Sequence, residues 1–348
     1  MLHKLSKIAL LTMLSASAFA QTTTPPAGNG QPGQDGQRPR GRRQFTVNIN
    51  NTSKNIELDT VQKAELIQIV KDVYVPFAQA DGTRVRGFSF SVNDSLQIGM
   101  IAKVGKISVS GDWLKKNYKN FATELQTTLR KNWHSVDTVK KADYQLVFIN
   151  KNSDFSPEVR KNLIDAYFKV YPVLVSKFND KSTHNVIFIT DTAYKGVAEC
   201  SGNRILFSTK YMNQNPYDID IVTHEGMHIV QGYPGGAGPG WLTEGIADYI
   251  RYKYGVDNIG SRWTLPEFKN DQSYKDAYRV TARFFEWIEQ KVKPDVIMTI
   301  DQQLRTKTYT EESWAKLTGK TVDELWADYA KNPQVDLKYS GKAPVKKG

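Results

Sequence analysis

The strongest constraint on this chain is a pair of helical runs joined by a glycine-rich turn between Asn215 and Tyr249. The first run opens at Asn215-Pro216, residue types that cap and start helices, and stops at Gly232 and Pro234. The turn from Tyr233 to Gly240 carries Gly235, Gly236, Gly238 and Gly240, which tolerate unusual backbone angles, and the second run begins at Trp241. So tight a connection lets a face of the second helix turn back towards the first.

The first run contains His224-Glu225-Gly226-Met227-His228. On a helix, residues four apart share a face, so both imidazoles can reach one ion at ~2.0–2.1 Å. Glu225 stands roughly 100° further round, beside a water on such an ion rather than among its ligands, which is the place of a general base. In the second run, Trp241 to Tyr249, Glu244 and Asp248 share a face by the same rule. Glu244 completes three protein ligands for Zn2+ and leaves a fourth position open, as a catalytic site requires. Asp248 can accept a hydrogen bond from the far nitrogen of a ligand histidine. Without the histidines, the two acids would read as an ordinary solvated face. A three-histidine site is disfavoured, because Gln231 stands where H-E-x-x-H-x-x-G-x-x-H needs glycine and no third histidine follows. His134 and His184 read as structural.

Residues 1–20 have the layout of a signal peptide: Lys4 and Lys7, an apolar run from Ile8 to Leu14, and Ala18-Phe19-Ala20 before a cleavage point at Gln21. The chain is therefore expected to be exported, to a periplasmic or extracellular location. After signal cleavage no stretch approaches the ~20 apolar residues of a membrane span. The lone Cys200 cannot form an internal disulfide and reads as a packing residue. Residues 21–44, rich in Thr, Pro, Gly, Gln and Arg, bury too little to fold and read as a disordered linker. The net charge is +11, or +9 once Lys4 and Lys7 leave with the signal, which favours an anionic envelope surface as a partner. Nucleic acid is not expected as a partner, since there is no basic stripe with interleaved stacking aromatics and no zinc-finger spacing. No feature specifies an oligomeric state.

From Phe45 to residue 140 the periodicities predict a smaller α/β segment: a strand with Phe45, Val47 and Ile49, a helix over Val61–Val73, strands at Phe88–Val92 and Lys106–Ser110, and a helix from Tyr118 to Trp133. The same β-α-β-β-α order recurs about 98 to 100 residues later, with strands at Gln145–Asn150, Asn185–Thr190 and Arg204–Ser208 and helices at Ser156–Phe178 and Asn215–Gly232. Either the first segment is a degenerate repeat or the match is chance; in a true repeat, Glu124 and Thr128 fall opposite His224 and His228. Beyond Gly255 the chain reads as helical, with Ser273 and Thr321 as N-caps, Gly319 as a stop and Thr321 with Glu324 as a capping box. Residues 141–332 form the main domain and 333–348 a loose C-terminal tail.

The chain resembles the plant and bacterial basic secretory proteins, glutamate-ligand zincin metallopeptidases, from Ala142 to Ala330. The resemblance rests on His224 to His228, on Trp241 to Tyr249, on Tyr278 with Thr281-Ala282-Arg283-Phe284, and on Leu325-Trp326-Ala327-Asp328-Tyr329. It implies an α+β zincin-like metallopeptidase domain with a mixed sheet and an active-site helix, zinc between two helices, and a peptide or protein substrate lying beside an edge strand. The segment Val197–Ser208 is the candidate edge. On that reading Glu225 is catalytic, and Tyr278 is the first candidate to hold the oxyanion, with Tyr249, Tyr252 and His184 as alternatives. Two rivals stand beside it: an exported binding protein with a structural zinc that engages anionic envelope material, and a metallohydrolase acting on a non-peptide bond.

Overall fold

A computed structural model of the chain describes residues 46–81, 87–103 and 105–341. The expected leader 1–20, the linker 21–44, Phe45 and the tail beyond Gly341 lie outside the described residues. The chain divides into two compact units, one ending at Ser135 and the other starting at Val136. Both are mixed α+β, and no helix among the described residues is long and apolar enough to cross a membrane.

In the first unit, strands β1 (Thr46–Asn51), β2 (Gly87–Val92), β3 (Met100–Lys103) and β4 (Lys106–Val109) form a sheet in the order β1-β2-β4-β3. The β1/β2 and β2/β4 pairs are parallel and β3/β4 is antiparallel. Helix α1 (Thr60–Asp81) makes the crossover that parallel strands require. Helices α2 (Gly111–Asn117) and α3 (Phe121–Arg130) follow, and the core holds Tyr74, Phe77, Phe90, Phe121, Leu125 and Leu129.

The second unit has strands β5 (Ser135–Lys141), β6 (Tyr144–Asn150), β7 (Asn185–Asp191), β8 (Ala198–Ser201) and β9 (Arg204–Ser208), in the order β5-β6-β7-β9-β8. Again β6/β7 and β7/β9 are parallel and β8/β9 antiparallel. Helix α4 (Pro157–Phe178) is the crossover between β6 and β7. Val186, Ile187, Phe188 and Ile189 are consecutive and all buried, as a parallel strand covered on both faces must be. Then come α5 (Thr209–Gln214), α6 (Ile221–Gln231), α7 (Gly240–Tyr254), α8 (Tyr278–Lys291), α9 (Val296–Thr306), α10 (Glu312–Thr318) and α11 (Val322–Lys331).

The pairings coincide closely. Ser89 faces Lys106 as Ile187 faces Arg204, and Met100 faces Val109 as Ala198 faces Phe207, each partner displaced by 98 residues. Ser110 Oγ accepts from Trp113 N and Ser208 Oγ from Tyr211 N, so the helix caps share that displacement.

Several elements differ from the sequence reading. The division falls after Ser135 rather than after residue 140, because β5 joins the second sheet beside β6. Asn215 does not cap the helix of the two histidines: it ends α5, and α6 starts at Ile221 behind Asp220. Ser273 caps the short 3-10 turn Tyr274–Asp276, and α8 begins only at Tyr278. Thr321 and Glu324 form the expected capping box, and Gly319 ends α10 with φ 82°. Residues 333–341 are not loose. Val335, Leu337 and Tyr339 pack on the core, Lys338 N donates to Tyr252 Oη at 2.9 Å, and Ile259 N donates to Ser340 O at 3.0 Å. Alternate apolar residues give that polar stretch one adhesive face.

Candidate metal centre

Every residue of α6 except His228 is buried. In so enclosed a helix a buried polar group without a partner costs about 1–3 kcal/mol, and His224, His228 and Gln231 each have one. It ends at Gly232, whose φ of 50° is the left-handed C-cap that glycine accommodates, and the chain then turns into α7. Helix α8 lies close against α7: a Cβ on Gly245 would sit 2.4 Å from Thr281 Cγ2. The glycine beside Glu244 thus lets α8 bring its first residue, Tyr278, to the site.

The structure brings together all the residues singled out on α6 and α7. His224 Nε2 and His228 Nε2 are 3.2 Å apart, and Glu244 Oε2 lies 3.3 and 3.4 Å from them. The donors of a tetrahedral ion with bonds near 2.0 Å are separated by about 3.3 Å, so this triangle has the shape of one face of such a site. His224 Nδ1 lies 2.7 Å from Asp248 Oδ1, both side chains being buried. A carboxylate only accepts, so Nδ1 carries a proton, and in the neutral ring the Nε2 lone pair faces the triangle. Among the described residues, His224, His228 and Glu244 form the one group of this kind that could hold a metal ion. The donor set suits zinc, borderline-soft and at home with imidazole and carboxylate.

The electrostatics point to a positive charge at the same place. Burial disfavours the imidazolium forms of His224 and His228, yet their pKa values are raised, for His224 by Asp248, Glu244 and Glu225 and for His228 by Glu244 and Glu225. Glu244 is partly buried, which alone would raise its pKa, but the two imidazoles hold its carboxyl far below the usual range. Glu225 moves the other way. Burial pushes its carboxyl up and Glu244 and Glu199 add to the rise, while the histidines oppose it. Such a carboxylate is a stronger proton acceptor than a solvated one.

Tyr278 stacks beside His224, with ring centroids 6.1 Å apart at 17°, and is 52% exposed. It follows Ala277, and both have positive φ, 64° and 50°, an uncommon conformation for residues other than glycine. The alternatives are placed elsewhere. Tyr249 packs on Phe285, Tyr252 Oη takes the Lys338 amide, and His184 stacks on Tyr144 at 4.3 Å. Strand β8 is one of the two edges of the sheet and packs against α6. Since Ser208 N bonds to Val197 O, antiparallel alternation turns the backbone groups of Ala198 and Cys200 towards that edge. Burial raises the Cys200 thiol, whose side chain packs on the core.

One residue of the site escapes the sequence reading, which saw in Gln231 only a missing glycine. Its Oε1 lies 2.7 Å from His228 Nδ1, and its Nε2 donates to Thr243 O at 2.9 Å. The i, i+3 spacing from His228 was the available signal.

A family model described as a peptidase of plants and bacteria matches residues 142–329. No curated relative matches the chain. Among solved structures it is similar to an aminopeptidase N family protein from Idiomarina loihiensis, at 10% identity and a TM-score of 0.39, over 60% of this chain and 47% of that one. It is also similar to an M1 zinc metallopeptidase from Deinococcus radiodurans bound to a Tyr-Ser-Ala substrate, at 11% identity and a TM-score of 0.35, over 58% of this chain and 52% of that one. For Legionella pneumophila aminopeptidase A in complex with aspartic acid the values are 12% and 0.34, over 56% of this chain and 27% of that one. The chain thus spans about half the length of these structures or less.

Proposed function

The chain belongs to the family of peptidases of plants and bacteria, and from that premise we propose that it is an exported zinc-dependent peptidase with His224, His228 and Glu244 as metal ligands. The observation that carries the reading is the triangle of two Nε2 atoms and one carboxylate oxygen, with the buried Glu225 beside it. When bound there, zinc would supply a Lewis acid for the scissile carbonyl and bring the pKa of its water down towards ~7.

The chain's own residues do the rest. Glu225 takes the proton of the attacking water on a carboxylate oxygen and later passes it to the leaving amine. The Tyr278 hydroxyl donates to the oxyanion of the tetrahedral intermediate. Asp248 keeps the His224 proton on Nδ1. The substrate backbone pairs with the outer edge of β8 through the backbone of Cys200 and the N–H of Ala198. The leader ending Ala18-Phe19-Ala20 supports export to the periplasm or beyond, and the net charge, +11 before and +9 after loss of Lys4 and Lys7 with the leader, supports attraction to an anionic envelope surface.

The test compares the purified wild type with Glu225→Ala for bound zinc and for cleavage of a peptide library. Zinc retained with cleavage lost supports the reading; equal cleavage by both removes Glu225 from the reaction. A zinc-loaded wild type that cuts no peptide favours a structural metal in a binding protein.

A further inference from the structure

We infer that Gln231 fixes the tautomer of His228 and braces the two ligand-bearing helices through one amide, a role that rests on the metal site proposed above. Gln231 is 1% exposed, so its amide has only protein partners to choose from. The Thr243 carbonyl is one of them, and a carbonyl oxygen can only accept. The Gln231 NH2 must therefore face Thr243, which leaves Oε1 facing His228 Nδ1 at 2.7 Å. Oε1 also only accepts, so His228 carries a proton on Nδ1, and in the neutral ring the Nε2 lone pair faces the space it shares with Glu244 Oε2 and His224 Nε2. The reversed amide would set an oxygen against the Thr243 oxygen at 2.9 Å and an NH2 against Nδ1. The direction of a backbone carbonyl on α7 thus decides which nitrogen of a ring on α6 is free for a metal.

Thr243 immediately precedes Glu244, so the amide spans the glycine-rich connection and holds the third ligand in register with the second. The connection is pinned from its far side as well. Tyr233 Oη donates to the buried Asp301 at 2.6 Å, Asp301 pairs with Arg305, and the Gln231 amide also bonds the Tyr233 oxygen. The two histidines are therefore oriented by different chemistry. His224 has a carboxylate, Asp248, whereas His228 has a neutral amide that adds no fourth negative charge beside Glu225, Glu244 and Asp248.

The test uses the full chain with Gln231→Leu and Gln231→Glu, reading zinc affinity by chelator competition, melting of the metal-free proteins, and the Nδ1–H signals of 15N-labelled histidine in the zinc-loaded proteins. Gln231→Leu is expected to bind zinc about 10- to 100-fold more weakly and to lose the slowly exchanging His228 Nδ1–H signal, with the His224 signal retained. Gln231→Glu restores an acceptor for Nδ1 but opposes Thr243 with an oxygen, and is expected to fall between Gln231→Leu and wild type. A Leu variant within about threefold of wild-type affinity overturns the role, and a Glu variant equal to wild type overturns the tie to Thr243 even if the Leu variant fails to fold. A wild type that binds no zinc would instead remove the metal site itself.

Discussion

In the first unit the helix that follows the open-edged hairpin and the serine-capped short helix buries Phe121, Leu125 and Leu129. In the second unit the helix at the same point buries His224 and Glu225 among Ile221, Val222, Met227 and Ile229. Apart from β5, which has no counterpart among the described residues of the first sheet, strand order and pairing sense are shared, β2, β4 and β3 keep the register of β7, β9 and β8, and both sheets end in an antiparallel strand, β3 or β8. Counted from the first residue of each helix, Leu125 stands where Glu225 does, and Glu124 and Thr128 where His224 and His228 do. The path of the chain is therefore not what makes a reaction centre. One helical position, filled with leucine, closes a core; filled with glutamate, it places a raised-pKa carboxylate beside three converging ligand atoms.

Exchanging the contents of that position should break the comparison most visibly. Glu225→Gln is expected to lower peptide cleavage by about 10²- to 10⁴-fold, with zinc content unchanged. Retained cleavage would mean that the second helix is no more catalytic than the first. Removing zinc with a chelator should abolish cleavage, and where free zinc stands at about a thousand times its Kd should cost the second unit about 4 kcal/mol. Calorimetry of the chain with and without chelator would show it. Equal loss in the transition of the first unit would contradict the division of labour.

The converse substitution is Leu125→Ala, which opens a cavity under α3. It should destabilise the first unit by about 2–5 kcal/mol in denaturant titrations, while zinc content and cleavage per folded molecule stay at wild-type values. Smaller still are the paired caps. Ser110→Ala and Ser208→Ala each remove a side-chain acceptor from the first turn of a short helix, Trp113 N or Tyr211 N at 3.3 Å, and each should cost about 1 kcal/mol. A cost at one site only would show that the shared geometry is not matched by shared energetics.

How much of this was legible in the sequence depended on distance along the chain. His224, His228, Glu244 and Asp248 could be read because two helical repeats and one short turn bring them together. Gln231 could not be assigned its role, because its second partner is a backbone carbonyl, and carbonyls look alike in every sequence. The strands β3, β5 and β8 were hidden or blurred for a related reason: a short strand exists through its pairing partner, which local periodicity does not contain. Asn215-Pro216 carries a helix-start signal, but the end of α5 and the turn before Asp220 override it, so α6 begins only at Ile221. The segment at 333–341 is polar in composition, yet the alternation of Val335, Leu337 and Tyr339 gives it a packed face.

The smallest expected effect is the most discriminating. Glu124→His with Thr128→His would put an imidazole pair on α3 at the spacing of His224 and His228, on residues that are only partly buried and so tolerate replacement. The helix after α6 is α7, which supplies Glu244 and Asp248, and α6 itself supplies Gln231. After α3 the chain runs past Trp133 directly into β5, so nothing equivalent follows to close the triangle or to hold either ring in one tautomer. Two histidines without a third ligand form a weak and unselective site. The double variant should therefore keep the zinc stoichiometry of wild type when dialysed against buffered zinc and measured by elemental analysis. A second tightly held zinc would show that the shared path is enough to build a centre once the donors are supplied.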